Sequence, residues 1–338
     1  MGRMNRRRLL QLAVTLPTLP YAAAGAARAQ TTARVFRIGI LTGASSDARG
    51  YTVAAFRQGL RDLGYLEGRN VAYEMRQEKE STEESLARLA GELAALPLDL
   101  VLVANTQPVL AMREAAARAR PDLPIVMIEV GDPEASGLVA SLARPGGNVT
   151  GLGNLDSELA AKRLQLLKEA APGLGRIGVL GNPTNPVFAA QWHNVEAAAA
   201  ALGIELLRED VRSAGDLDRA IAATVERRAE GVLRLIGFRS EAARRRLAEL
   251  LARHRLPCCT DRASEVREGM LMAYGPNPAA TWRQAAGIAD RILRGGKPAE
   301  IAVERPAKFD LALNMTTAKS LGLVFPAAIR ARATETVA

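Results

Sequence analysis

The sequence predicts an α/β protein of two Rossmann-like lobes, each a parallel sheet covered by helices, joined by a hinge. Three observations carry this. Apolar strand-like runs alternate with amphipathic helical stretches from Val35 to Tyr274. The strand runs are close to continuously apolar, as in Leu98–Ala104 and Ile125–Val130, which marks strands buried on both faces by crossover helices. The alternation is broken once, by Arg144-Pro145-Gly146-Gly147-Asn148-Val149-Thr150-Gly151, and then restarts. A chain of 338 residues has room for two such units.

The elements follow in order. Val35–Leu41 is the first strand and Thr42-Gly43-Ala44-Ser45-Ser46-Asp47 its loop, before a helix over about Gly50–Leu63 that stops at Gly64. Asn70–Arg76 is the second strand and about Thr82–Ala95 the second helix. Leu98–Ala104 ends in Asn105-Thr106-Gln107-Pro108, where proline suits the opening of a helix over 108–120. Ile125–Val130 closes this unit in Gly131-Asp132-Pro133. Beyond the interruption, strands at Ile177–Leu180, Ile204–Glu209, Gly231–Ile236, Pro257–Thr260 and Met270–Tyr274 alternate with helices over about Val187–Leu202, 215–228 and 240–254. A tail adds a helix over about Pro278–Arg294, stopped by Gly295-Gly296, and strands near 301–304 and 309–313.

Residues 1–29 read as an export signal and stand outside this fold. Arg6, Arg7 and Arg8 precede an apolar stretch from Leu9 to about Ala24, and Ala27-Arg28-Ala29 is a cleavage site before Gln30. Asn5-Arg6-Arg7-Arg8-Leu9-Leu10 resembles a twin-arginine signal, and a Sec signal with extra arginines fits the same residues. A single membrane anchor is the rival reading, but the run is short for a span and broken by Pro17 and Pro20. No Cys follows the cleavage site, against a lipoprotein. The expected location is the periplasm.

A composition of 48% hydrophobic and 24% charged residues excludes a disordered chain. Residues 1–29 hold five arginines and no acid, so the formal charge of +9 falls to +4 beyond them. The remaining basic residues are interspersed with acids, as over 241–255, which is not a nucleic-acid footprint. Cys258 and Cys259 are the only cysteines. Adjacent cysteines bridge only with unusual backbone geometry, so they read as two core thiols.

In open parallel sheets ligands sit outside the carboxyl ends of the strands, where helix N-termini offer unpaired N–H groups. Two facing lobes therefore border one cleft with the loops at 42–47, 105–107 and 129–133, and at 181–186, 236–239, 260–262 and 274–277. Ser45 and Ser46 would anchor an anion or simply cap the following helix. Asn105 and Thr106 hold the equivalent place after a central strand. Glu129 faces the core or the ligand, and alternation does not decide between them. Asp132 would accept from a ligand amine or close a turn through an Asx hydrogen bond. Asn182 and Asn185 flank the proline-rich strand end of the second unit. Tyr274, before Gly275, is the leading aromatic candidate to enclose an apolar or planar ligand, and Phe238 and Asp261 are the next candidates after it. Phe188 and Trp192, four apart on one helix, read as core packing.

Other motifs dissolve on inspection. Arg144–Gly151 lacks the Lys-Ser/Thr of a phosphate loop. Gly173-Leu174-Gly175-Arg176-Ile177-Gly178 spells G-x-G-x-x-G but precedes a strand instead of following one. His193 and His254 fall inside helices without matched Cys or acidic ligands. No catalytic residue, metal site or cofactor is expected.

Several segments together carry a resemblance. They are Phe56-Arg57-Gln58-Gly59-Leu60-Arg61-Asp62-Leu63-Gly64-Tyr65, Glu67-Gly68-Arg69-Asn70-Val71, Gly131-Asp132-Pro133, the long run Gly137–Gly151, Lys162-Arg163-Leu164, Ala273-Tyr274-Gly275, Val303-Glu304-Arg305-Pro306 and Asn314–Leu323. The mature chain resembles the ABC-transporter substrate-binding family that includes the tryptophan-binding protein TrpX, departing from it at Glu134, where valine is frequent. The resemblance implies a periplasmic-binding-protein type I fold with three crossovers, placing 34–148 plus about 278–308 in the N-terminal lobe and 151–277 plus about 309–338 in the C-terminal lobe. It also implies an extracytoplasmic solute-binding receptor of an ABC importer that closes by hinge motion on a small solute, with an amino acid or aromatic compound as precedent. The partners implied are that small-molecule ligand and the ABC permease and ATPase subunits, with peripheral membrane contact through the permease and no nucleic acid. An exported ligand-sensing subunit of a signalling system is the alternative, and an α/β enzyme a more distant one.

Overall fold

Leu100-Val101-Leu102-Val103-Ala104 is a strand with every residue buried, as only helices on both faces of a sheet allow. The computed structural model describes residues 34–43, 50–78, 82–154, 156–235, 237 and 241–338. The export segment 1–29 lies outside the described residues.

The first lobe runs β1 (Phe36–Thr42), α1 (Tyr51–Asp62), β2 (Val71–Gln77), α2 (Glu83–Ala94), β3 (Leu100–Ala104), α3 (Thr106–Ala119), β4 (Ile125–Val130) and β5 (Val149–Gly153). Its strands pair in parallel in the order β2-β1-β3-β4-β5. The order reverses between β1 and β3, which is where a doubly wound sheet opens a crevice.

The second lobe continues with α4 (Asp156–Ala170), β6 (Arg176–Gly181), α5 (Phe188–Leu202), β7 (Glu205–Asp210), α6 (Leu217–Glu226), β8 (Gly231–Arg234), α7 (Glu241–His254), β9 (Cys258–Thr260), α8 (Ala263–Arg267) and β10 (Met272–Pro276). Then α9 (Pro278–Leu293) returns to the first lobe, and β11 (Phe309–Asn314), α10 (Met315–Leu321), α11 (Ala327–Arg332) and β12 (Glu335–Val337) finish the second. The second sheet has the order β12-β11-β10-β9-β8-β6-β7, with its reversal between β6 and β8. It is not wholly parallel, because β11 runs antiparallel to β10.

β5 pairs with β4, so residues 149–153 complete the first sheet, whereas the sequence expectation ends the first lobe at 148 and begins the second at 151. Gly151 makes the pairing possible. Its φ is +143°, and a Cβ there would overlap the Met127 carbonyl oxygen, so only glycine fits. The chain from 301 to 304 lies beside β5, with Thr150 Oγ1 donating to the Ile301 carbonyl at 2.7 Å and Gly153 N–H to that of Glu304 at 3.0 Å.

α9 earns its place by packing. Phe56 and Leu60 of α1 share one core with Trp282, Ala285 and Ile288 of α9. Gly59 lets the helices close, since a Cβ there would lie 2.7 Å from that of Ala286. Cys258 and Cys259 are free and buried, and they point to opposite faces of the second sheet, one into each of its two cores. Burial pushes both thiols well above their ordinary pKa.

Candidate functional site

The carboxyl ends of the strands of both sheets meet at the junction between the lobes. Asn154 N–H donates to the Val130 carbonyl at 2.7 Å, and Asp156 N–H to that of Gly131 at 2.8 Å. Val187, preceding α5, stands 3.0 Å from where a Cβ of Gly131 would be.

One side chain departs from strand alternation here, and it makes the principal contact. The β4–β5 register slips between Met127 and Val130, and Glu129 takes φ +54°. This local irregularity re-aims a side chain, as bulges do. The Glu129 carboxylate accepts from Trp282 Nε1 of α9 at 2.9 Å and from Arg262 Nη2 at 2.6 Å. Trp282 is fully buried in the first lobe, and Arg262 follows β9 in the second. The ion pair therefore crosses from lobe to lobe, with side chains 5% and 16% exposed.

Arg262 belongs to a longer chain of charge. Its Nε lies 3.9 Å from Asp261 Oδ2, and the Asp261 carboxylate in turn accepts from Arg234. Arg234 Nη2 also donates to both Glu265 oxygens at 2.8 Å. Burial opposes the charge on Arg234 and Arg262, but the neighbouring carboxylates outweigh it and hold both guanidiniums above their ordinary pKa. Burial pushes the Glu265 carboxyl up, against the pull of Arg234. On the other face of the sheet, Arg163 of α4 is 1% exposed and donates through Nε to the Tyr274 carbonyl at 2.8 Å and through Nη2 to Asp156 Oδ1 at 3.4 Å. Buried charges persist only when partnered and hydrogen-bonded in this way. β9 and β10 come close enough to assemble the cluster because Gly275 has no Cβ to strike the Asp261 carbonyl.

The residues singled out from sequence divide three ways. Glu129 and Asp261 join the cluster. Asn105 turns β3 into α3 with φ +73°, and its Oδ1 is buried with no hydrogen-bond partner among the described residues. Thr106 is buried, its Oγ1 accepting from Gly131 N–H at 3.4 Å. Thr260 Oγ1, across the junction, is likewise buried without a partner among the described residues.

Three polar candidates are spent on local turns. Asp132 Oδ1 accepts from Ala135 N–H at 3.1 Å. Asn182 Oδ1 accepts from Thr184 N–H and Oγ1 at 3.0 and 2.8 Å, and Asn185 Oδ1 from Val187 N–H at 3.0 Å. Tyr274 meets the charges at the junction only through its backbone carbonyl, held by Arg163, and its side chain lies apart from them. Its ring stacks on Phe309 at 6.0 Å and 18° on the α4 face, packed against the core that holds Cys259 and Met272. Ser45, Ser46 and Phe238 lie outside the described residues. Arg262, Arg234, Glu265, Arg163 and Trp282 went unremarked as site residues. Arg234 carried a readable signal, a charge within the apolar run Gly231–Leu235.

Among the described residues, no cluster of His, Cys, Asp and Glu could hold a metal ion, and no helix is long and apolar enough to cross a membrane.

Comparison with known proteins agrees with this architecture. The Tyrosine-binding protein of Clostridioides difficile is 24% identical over 272 residues, 79% of this chain and 75% of that protein. A conserved domain protein of Vibrio cholerae superposes with a TM-score of 0.81 at 26% identity, covering 90% of this chain and all of that one. A Streptococcus pneumoniae domain solved in complex with L-Trp also reaches 0.81, at 21% identity and with 90% and 100% coverage. Periplasmic-binding-protein type I structures share the fold at greater distance, as with an Agrobacterium vitis solute-binding protein at a TM-score of 0.59. From residue 37 to residue 337 the sequence matches the ABC transporter substrate binding protein family, and the chain belongs to that family.

Proposed function

We propose that this chain is the extracytoplasmic receptor of an ABC importer, closing two lobes over an amino acid with an aromatic side chain. The observation that carries the reading is the Glu129–Arg262 ion pair, at 2.6 Å between facing strand ends of different lobes. A contact of that kind stabilises a closed arrangement, and a solute touching both lobes adds to it and shifts the population toward closure. Asn105 Oδ1 and Thr260 Oγ1, one from each lobe and buried without partners among the described residues, are the polar atoms a solute would satisfy. Leaving such groups unpaired is costly, which is how a dehydrated cleft selects.

The aromatic amino acid is proposed from the relatives, one named for tyrosine and one solved with L-Trp. Export through the segment 1–29, periplasmic residence, docking of the closed form on a permease and its ATPase, and the absence of chemistry belong to the same proposal. Native mass spectrometry of freshly purified protein, followed by calorimetric titration with L-tyrosine, L-tryptophan and tyramine, tests it. Both amino acids are expected to bind and tyramine, lacking the carboxylate, to bind far less. A ligand at 100 times its Kd stabilises the fold by about 2.7 kcal/mol. No binding of any amino acid, or turnover of the bound compound, overturns the reading.

A further inference from the structure

The second lobe carries a groove that the interlobe junction does not use. It is a cavity of about 380 Å³ on the α4 face of the second sheet, between α4 and the end of α11. Its floor is aromatic. Tyr274 on β10 stands opposite Leu311 on β11, and Phe309 lies two residues before Leu311. This diagonal cross-strand placement lets the two rings stack at 6.0 Å with 18° between their planes. Leu166 and Leu311 extend the apolar surface.

The rim is cationic. Lys162 and Arg332 line the cavity, and none of its described lining residues is a carboxylate. Arg332 shares its charge with Glu169, which accepts from Nη2 at 2.8 Å outside the lining. Lys162 Nζ reaches Gln165 Oε1 at 3.4 Å and has no carboxylate partner among the described residues. Asp310, next to Phe309 on β11, is outside the lining, its carboxylate accepting from Asn277 Nδ2 at 2.9 Å and from Oγ1 of the lining residue Thr334 at 3.4 Å.

We propose that this groove is a second small-molecule site, for a planar aromatic carboxylate. The ring would lie against Tyr274 and Phe309, whose faces favour offset stacking. The carboxylate would sit between Lys162 and Arg332, making charge-assisted hydrogen bonds. The volume lies in the range of small-ligand cavities. None of the lining residues belongs to the Glu129–Arg262 cluster, so the site goes beyond the importer reading and stands or falls separately from it. It is rooted on two chain crossings between the lobes, since Tyr274 closely precedes the return into α9 and Phe309 opens the strand that follows the last crossing.

The test is 19F NMR of the protein labelled with 3-fluorotyrosine, titrated with 1-naphthoate and, separately, 1-naphthylmethylamine. Tyr274→Phe assigns the resonance. Naphthoate is expected to shift the Tyr274 signal saturably and the amine to leave it in place. Lys162→Ala, a change on a helix surface, is expected to weaken the naphthoate response about tenfold while leaving the melting curve unchanged. Glu129→Gln, whose partners Trp282 and Arg262 do not line the groove, is expected to leave the response intact. A Tyr274 signal unmoved by naphthoate, moved equally by the amine, or indifferent to Lys162→Ala overturns the proposal.

Discussion

Replacing Glu129 by glutamine tests whether the charge that crosses the lobes governs their closure. The carboxylate holds Arg262 at 2.6 Å and Trp282 Nε1 at 2.9 Å. Glutamine keeps one carbonyl acceptor but sets its amide N–H₂ against a second donor. A hydrogen bond to a charged group contributes about 1.5–3 kcal/mol net. Removing one partner of a fully buried pair costs about 3–5 kcal/mol, because the other charge stays buried. Arg262 has an escape that a core arginine lacks, since opening the lobes returns it to water. The smaller range therefore applies, and it falls on the closed state and not on the fold. If the solute requires closure, its Kd should rise about 10- to 150-fold, with little change in the urea midpoint of the ligand-free protein. Calorimetric titration and small-angle scattering with and without solute measure both. Arg262→Gln should give the same loss, and the double variant no more than either single one, as one shared interaction requires. Unchanged affinity and an unchanged radius of gyration in both single variants would refute the argument.

Other consequences concern stability. Arg234→Met takes from Glu265 the guanidinium that donates to both its oxygens, and from Asp261 one of its two arginines; it is expected to cost about 3–5 kcal/mol in urea unfolding, and adding Glu265→Leu should recover part of it. Gly151→Ala drives a Cβ into the Met127 carbonyl oxygen at φ +143°, and destabilisation beyond about 2 kcal/mol is expected on the same assay. Asp216 is held below the usual carboxylate range, chiefly by the Ser213 N–H, with the Arg212 N–H and Ser213 hydroxyl adding to it. A depressed folded pKa means that this contribution is present above the unfolded value near 3.9 and is lost as the pH falls through the folded one. Asp216→Asn should flatten that acid limb of the stability curve, and NMR titration of the Asp216 carboxyl should place its midpoint below the unfolded value.

What could be read from the sequence, and what could not, follows from how each signal arises. The alternation that predicted the first lobe survives because Leu100–Ala104 and its neighbours are apolar for one reason only, burial on both faces. α4 went unread although it is 15 residues long. Its buried face includes Arg163 and Asp156, so the apolar stripe that marks a helix is interrupted by the charges that serve the junction. α10, α11 and β12 are too short for any period to register. Asp132, Asn182 and Asn185 were chosen for residue type, and type cannot separate an acceptor offered to a solute from one already closed on its own turn. Glu129 marks the deepest of these limits. An acid in an otherwise apolar strand must find a partner, because leaving it buried and unpaired costs more than most folds can bear. That much is legible at position 129, and equally at Arg234. Which partner it finds depends on a slipped register in β4 and on chain crossings that bring Arg262 across from 133 residues away, and no local pattern encodes either. The charges that interrupt apolar runs are thus the residues on which a sequence says most about where a site lies and least about how it is assembled.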